Sequence, residues 1–488
     1  MSHSAKDASG KPVSLVWLRR DLRLFDHAAL GAAAKQGYPA QALFVFDTDI
    51  LKRFSNKNDR RLSFIAETLC HMHEQLQSKG GGLLVLHGRA QELLPKLAEV
   101  LGSRHVFAAE DFEPQTRKRD EVVAHALKGR AELKLVLDHL LFAPKDVLKS
   151  DGTPFKVFTP YSNTWREQIG MREGFAAEIQ LKGLHCADYD ASFTAAKRAG
   201  LTVLDAGKGV AAMLEAIGYQ LQKTDWPVGQ ARRRLHDFAE ERMRGYQTQR
   251  DFMGKNGTSR LSPYLRFGLL SVRECARLAF GAESHGSAGA ATWLKELIWR
   301  DFYAMILYHF PHTATQEMQE QYRGISWYYD KEMFERFAQG QTGYPVVDAA
   351  MRELLTTGFM HNRARMIVAS FCTKDLLLDW RMGEEHFAQY LMDYELASNV
   401  GGWQWAASTG TDAQPYFRIF NPVLQGIRFD PEGEYVREHV AELAHLSAKA
   451  IHEPWKHGEL PKGYPERIVD HAAMRQKAIA MFKEASGA

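Results

Sequence analysis

The run Asp393-Tyr394-Glu395-Leu396-Ala397-Ser398-Asn399-Val400-Gly401-Gly402-Trp403-Gln404-Trp405 sets two indoles, two amides and two carboxylates around a glycine pair. These groups suit the holding of something flat, because glycine removes the side chain and permits positive φ, so that backbone can approach a bound ring. Trp403 and Trp405 share an orientation only in an extended stretch and point to different sides of a helix. One indole could then face a buried cofactor and the other a substrate. A glycine-kinked core helix with packed tryptophans accounts for the same residues, and the segment alone leaves both readings open.

Three further segments carry comparable chemistry. Trp293, Glu296, Trp299 and Arg300 fall at i, i+3, i+6 and i+7, which puts them on one helical face beside Leu294, Leu297 and Ile298. That face suits a base or another planar ring; an intrahelical Glu296–Arg300 ion pair is the plainer alternative. In His361-Asn362-Arg363-Ala364-Arg365-Met366, Asn362 and Met366 stack at i, i+4 and offer an amide and a thioether. Arg365 points roughly 100° away, towards a separate partner such as Asp393, unless the arginines are simply solvated at a helix start. Thr258-Ser259-Arg260-Leu261-Ser262 follows Gly257 and precedes a proline-initiated helix, a combination of hydroxyls, backbone N–H groups and a cation that suits phosphate. A helix cap without ligand explains it as well. Upstream, Arg232, Arg233, Arg234, Arg242, Arg244 and Arg250 surround Tyr246, either as a patch for a DNA backbone or as a solvated face shared with Glu240 and Glu241.

The elements that must position these groups divide the chain. At 488 residues it exceeds the size of a single core, so two domains are expected. From Val13, the short apolar runs VSLVWL, AQALFVFD, GGLLVLHG, HVFAAED and ELKLVLD alternate with helical patterns. This predicts a five-stranded parallel, Rossmann-like α/β sheet over residues 12–142. Leu62, Ile65, Leu69, Met72 and Leu76 form the apolar stripe of one covering helix. The turn Arg19-Arg20-Asp21-Leu22-Arg23 lacks G-x-G-x-x-G, so a dinucleotide in the usual Rossmann place is not expected. Residues 143–226 read as a connector, and 227–488 as an all-α domain that holds seven of the ten tryptophans, with Trp226 immediately before it.

Composition narrows the class. The formal charge of +3 requires any nucleic-acid affinity to come from a local patch. Four dispersed cysteines without C-x-x-C argue against a disulfide framework, a zinc site or an iron–sulfur cluster. Residues 1–11 lack an apolar signal core, and no run of 18 apolar residues occurs. A cytoplasmic protein without membrane contact is expected.

Together, LVWLRRDLRLFDHAAL, GTSRLSPYLRFG, WLKELIWRDFY, TGYPVVDAAMRELLTTGFMHNRARMIVASFCTKDLLLDW and NVGGWQWAASTGTDAQPYFRIFNP resemble the photolyase/cryptochrome family over nearly the whole chain. The resemblance is closest to the bacterial cyclobutane pyrimidine dimer photolyases. It implies an α/β antenna domain followed by a helical domain that binds FAD and a flipped-out lesion. By resemblance, Tyr246, Thr258, Ser259, Arg260, Leu261 and Ser262 hold the FAD phosphates and ribitol, and Trp293 lines the flavin. Arg365 and Asp393 pair beside the isoalloxazine, Glu395 lies near the ribose or adenine end, and Asn399 faces N5.

On the substrate side the resemblance implies Arg250, Glu296, Trp299, Arg300, Asn362, Arg363, Met366, Trp405 and Gln425, with Arg300 and Arg363 meeting phosphates that flank the lesion. The implied reaction is electron donation from light-excited, reduced FAD to a dimer in single- or double-stranded DNA, splitting of the ring and return of the electron. Trp403, Trp380 and Trp327 match the family's relay that reduces oxidised flavin. The implied protein is a monomer with no obligate protein partner. Gln115-Thr116 stands where folate-binding members carry Asn-Glu before R-x-R-D, here Arg117-Lys118-Arg119-Asp120, so an antenna could be folate, deazaflavin, another flavin or none. A signalling cryptochrome and a flavin-binding interaction module are the competing readings. Asn362 followed by Arg363, Asn399, and the short tail after the helix at 472–484 favour dimer repair.

Overall fold

Six strands form one sheet: β1 (Ser14–Leu18), β2 (Ala40–Asp47), β3 (Leu83–Gly88), β4 (His105–Ala109), β5 (Glu132–Val136) and β6 (Val203–Leu204), in the order β5-β4-β1-β2-β3-β6. The computed structural model describes residues 12–171, 177–458 and 460–487. The polar segment 1–11, read above for a missing signal core, lies outside the described residues, as do 172–176 of the connector. No helix among the described residues is long and apolar enough to cross a membrane.

The first five strands pair in parallel, with Val16 of β1 opposite Ala42 of β2 and Phe107 of β4. Every residue of β1 and β2 is buried, as expected of parallel strands covered on both faces. The expected count of five needs correction. β6 pairs antiparallel with β3, Val85 opposite Leu204, and comes from the stretch read as connector. Two residues are too short to show a period of two, so only the tertiary pairing reveals this strand.

The domain boundaries also differ from the expectation. One compact unit contains the sheet and comprises residues up to Asp146, Glu167–Ala239 and Arg260–His285; the other comprises Val147–Arg166, Glu240–Ser259 and residues from Gly286 onward. Residues 143–226 are thus shared between the two units and carry the helices Phe158–Met171, Tyr189–Arg198 and Val210–Ala216. The segment Arg260–His285 joins the sheet unit through buried charge. Arg273 bonds Asp26 at 2.9 Å and Asp138 at 3.0 Å, and Arg23 bonds Asp138 at 2.7 Å. Gly268, at φ +71°, lies so close to Arg20 that a Cβ there would stand 2.0 Å from the Arg20 carbonyl oxygen.

The arginines of the turn after β1 are paired within this unit. Arg19 meets Asp120 at 2.6 Å, and Arg20 meets Asp111 at 3.4 Å. The Arg19 and Arg119 guanidiniums lie 4.8 and 4.7 Å from the centre of the Trp17 ring. Part of the R-x-R-D segment is therefore engaged by the protein itself.

The second unit is helical. Its core joins Val347, Met351, Leu354, Ile367, Val368, Trp380, Phe387, Val400 and Trp403, and the helices Ala288–His309, Asn362–Ser370, Trp380–Tyr390 and Leu396–Ala406 carry most of the candidate site.

Candidate functional site

Two glycines set the helices that hold the site. A Cβ on Gly289 would stand 2.0 Å from the Met243 carbonyl oxygen and 2.4 Å from that of Arg244. The start of the Ala288–His309 helix thus lies directly on the backbone leading into the short helix Tyr246–Gln249. A Cβ on Gly401 would stand 2.2 Å from the Tyr303 ring, so the Ala288–His309 and Leu396–Ala406 helices are in contact there. The glycine pair does not adopt the positive φ that its composition permits; both members are helical. Gly401 provides close packing, whereas nothing lies within 4 Å of a Cβ on the exposed Gly402.

The Gly289 contact brings Glu296 to Arg250, which form an ion pair, while the Arg250 guanidinium lies 5.9 Å from the centre of the Tyr246 ring. Asp251 adds a bond to Arg363 at 2.8 Å, and Arg363 lies over Phe429 at 4.2 Å. Tyr246, Arg250, Glu296 and Arg363 therefore form one connected set. Sequence reasoning missed Asp251 and Phe429, whose neighbours in the chain give no periodic signal. Burial raises the Glu296 carboxyl above its ordinary range, against the opposing charge and hydrogen bond of Arg250. A carboxyl held towards its acid form can donate as well as accept.

The intrahelical Glu296–Arg300 pair does not form. Glu296 takes Arg250, and Arg300 meets Glu395 at 3.5 Å. Arg300 and Arg363, read as partners for phosphates, thus each already face a carboxylate. Asn362 and Met366 meet as spaced, with Nδ2 3.9 Å from Sδ. Trp299 stacks on Phe158 at 3.6 Å with the planes 3° apart, and also packs against Tyr303, so one indole face is taken by protein. Gln425 keeps a buried side-chain oxygen with no partner among the described residues.

A second network surrounds Asn399. Arg365 bonds both oxygens of Asp393, at 3.1 and 2.9 Å, and its Nε donates to the Met360 carbonyl at 2.9 Å. Asn399 Nδ2 donates to the carbonyl oxygen of Glu384 at 3.1 Å and to its Oε1 at 3.0 Å; the Tyr394 hydroxyl donates to the same Oε1 at 3.1 Å. Burial raises the Glu384 carboxyl, against these two donors. Glu384 was not singled out from sequence, although its place one turn after Trp380 was a usable signal. Both amide hydrogens of Asn399 are committed, which leaves its oxygen as an acceptor.

Trp293 and Trp403 are buried, and Trp405 is half-buried on the other side of its helix. Trp403 lies on the backbone at Gly383, where a Cβ would stand 2.0 Å from the indole. Trp380 and Trp327 both donate their indole N–H to Glu317.

The hydroxyl-rich run is not a simple cap. The helix Ser262–Phe267 starts after Leu261 without a side-chain cap, and Thr258 and Ser259 are half-buried. Arg260 adopts a left-handed φ of 50°. Arg242 braces the carbonyl of Thr258 at 3.1 Å. Much of the arginine patch is paired within the protein: Arg232 with Glu274 at 2.6 Å, Arg233 with Asp237 at 3.8 Å, and Arg250 with Glu296.

Residues 14–179 match the family described as DNA photolyase, and residues 293–484 match the one described as FAD binding domain of DNA photolyase. The deoxyribodipyrimidine photo-lyase of Alkalihalophilus pseudofirmus is 40% identical over 96% of this chain and 97% of its own. A class III photolyase from Agrobacterium tumefaciens superposes with a TM-score of 0.84 at 32% identity, over 98% of both chains. The photolyase of Sulfolobus tokodaii, solved with two FAD molecules, gives 0.79 at 28% identity over 97% of this chain and 100% of its own. The chain belongs to the DNA photolyase family.

Proposed function

We propose that this protein splits cyclobutane pyrimidine dimers in ultraviolet-damaged DNA in a light-dependent reaction, with FAD bound in its helical unit. The observation that carries this reading is the Asn399 network: an amide whose donors are held by Glu384, near in sequence to a bidentate Arg365–Asp393 pair. The donor set fits a flavin. Asn399 offers an oxygen to a ring N–H, Arg365 and Asp393 offer a charge-balanced donor and acceptor pair, and Trp293 offers an apolar wall. The hydroxyls of Thr258 and Ser259 and the phenol of Tyr246 suit the ribitol and phosphates. When bound, reduced FAD supplies the light absorption and the electron.

The chain's own residues do the rest. Glu296 and Asn362 hydrogen-bond the carbonyl and imide edges of a flipped-out dimer, and Met366 and Trp405 pack against it. Flipping costs least where stacking is already disrupted, which selects the lesion. Gln425 brings an oxygen with no protein partner among the described residues. Arg363 and Arg300 exchange Asp251 and Glu395 for phosphate when DNA binds, so affinity falls with salt. Trp403, Trp380 and Trp327 supply electrons to oxidised flavin. The protein acts as a cytoplasmic monomer.

The test is repair of an oligonucleotide carrying one thymine dimer by reduced protein under blue light. The expected result is dimer loss in the light and none in the dark. No light-dependent loss at full FAD occupancy refutes the proposal.

A further inference from the structure

Glu317 is almost fully buried, and one of its carboxylate oxygens serves two tryptophans. Oε1 accepts the indole N–H of Trp380 at 3.1 Å and that of Trp327 at 3.2 Å; Oε2 accepts from Arg381 at 2.8 Å. Arg381 is also anchored on Asp379 at 2.9 Å, and its guanidinium lies 4.7 Å from the centre of the Trp380 ring. Trp403 differs from both: it is 2% exposed, and its Nε1 is buried with no partner among the described residues. Trp380 is fully buried and Trp327 half-buried. Burial opposes ionisation of Glu317, yet the hydrogen bonds from Arg381 and Trp380 and the Arg381 charge hold its carboxyl below the ordinary range.

We infer that Glu317 is the shared proton acceptor of the two outer indoles during photoreduction. This rests on the reading of Trp403, Trp380 and Trp327 as an electron relay, and goes beyond it. Bound FAD in its oxidised form would supply the one-electron oxidant on illumination, and the three indoles would pass it an electron in turn. The indole left short of an electron is a cation with an acidic Nε1–H. At Trp403 that proton has nowhere to go, so the positive charge moves on as an electron hole. At Trp380 or Trp327 the N–H bond breaks with its electron pair left on nitrogen, and the proton passes to Glu317 Oε1. The products are a neutral indolyl radical and a carboxylic acid. A thiol reductant then gives the radical one electron, and the resulting indole anion recovers the proton from Glu317.

The geometry explains why a costly buried carboxylate occupies this position. The two indole N–H donors could be satisfied by neutral acceptors, and a buried ion pair is weak evidence of stabilisation. A carboxylate adds two properties that a neutral acceptor lacks: negative charge beside a developing cation and the capacity to hold a proton. Arg381 over Trp380 disfavours positive charge on that ring and biases it outward to Trp327.

Flash photolysis of the FAD-loaded protein tests the inference by following the indole cation and the neutral indolyl radical through their absorption. In the unmodified protein the cation deprotonates with a solvent deuterium isotope effect. In Glu317→Gln deprotonation slows on the order of 10²-fold, the contribution typical of a positioned base, and more of the separated charge recombines. Ultraviolet resonance Raman of the indole bands in the dark, with FAD occupancy, reports whether the glutamine keeps both N–H bonds. Unaltered deprotonation with both bonds retained overturns the assignment. Time-resolved infrared on the unmodified protein needs no variant: a protonated carboxyl band rises with the neutral radical, and its absence overturns the assignment as well. No indole radical at all in the unmodified protein overturns the relay reading and this inference together.

Discussion

Glu296→Ala separates framework effects from chemistry at the lesion. The Glu296 and Arg250 side chains are 33% and 31% exposed, so losing their ion pair costs stability only about 0–1 kcal/mol. Arg250 retains Asp251 at 3.9 Å and the Tyr246 ring. The hydrogen bond proposed between Glu296 and a pyrimidine dimer involves a charged or acidic group, and its loss is worth about 1.5–3 kcal/mol. If that bond is made fully only as the dimer splits, this amounts to about tenfold to 150-fold in rate. The assay is single-turnover repair of a thymine-dimer oligonucleotide by reduced protein, counted per absorbed photon, with flavin absorbance reporting occupancy. The expected result is loss of repair at unchanged occupancy and nearly unchanged melting temperature.

The pH dependence adds a sign. Burial raises the Glu296 carboxyl, so its acid form persists to higher pH than that of a free glutamate. Where the acid form donates to a pyrimidine carbonyl, repair is fullest at low pH and declines as pH rises through the raised value. Glu296→Gln, which always donates, flattens the profile. Repair by Glu296→Ala within twofold of the unmodified protein, or loss that merely tracks lost FAD, refutes the reasoning.

Three further outcomes are expected. Arg365→Ala strands the Asp393 carboxylate, whose side chain is 5% exposed, and breaking such a pair costs about 3–5 kcal/mol; urea unfolding of the FAD-loaded protein reads this as a lower midpoint, and an unchanged midpoint refutes the pairing. Gly289→Ala forces a Cβ onto two carbonyl oxygens at 2.0 and 2.4 Å, with a cost of about 1–3 kcal/mol; calorimetry shows a lower melting temperature, and no shift means that the helices do not approach as described. Trp380→Phe removes the middle member of the proposed relay and is expected to block photoreduction of oxidised flavin, followed by its absorbance under blue light with a thiol donor. Normal photoreduction there places the electron route elsewhere.

The sequence by itself determined the alternation of buried parallel strands with helices, because β1 and β2 are predominantly apolar runs, and both are buried along their whole length. It also determined which residues share a helical face, since 3.6 residues per turn fixes this locally; Asn362 and Met366 meet as spaced. Tertiary structure alone decided the partners across that face. An exposed i, i+4 pair contributes only about 0.2–0.5 kcal/mol, so Glu296 and Arg300 were free to choose Arg250 and Glu395 once packing brought these near. Glu317 escaped notice for the same reason, since it is an ordinary acid in sequence and gains its role from donors 10 to 64 residues away; Glu384, although placed one turn after Trp380, likewise gains its partners only from donors 10 to 15 residues away. The two-residue β6 and the transfer of Arg260–His285 to the sheet unit rest on long-range backbone pairing and buried Arg–Asp bonds, and neither leaves a periodic trace in the chain.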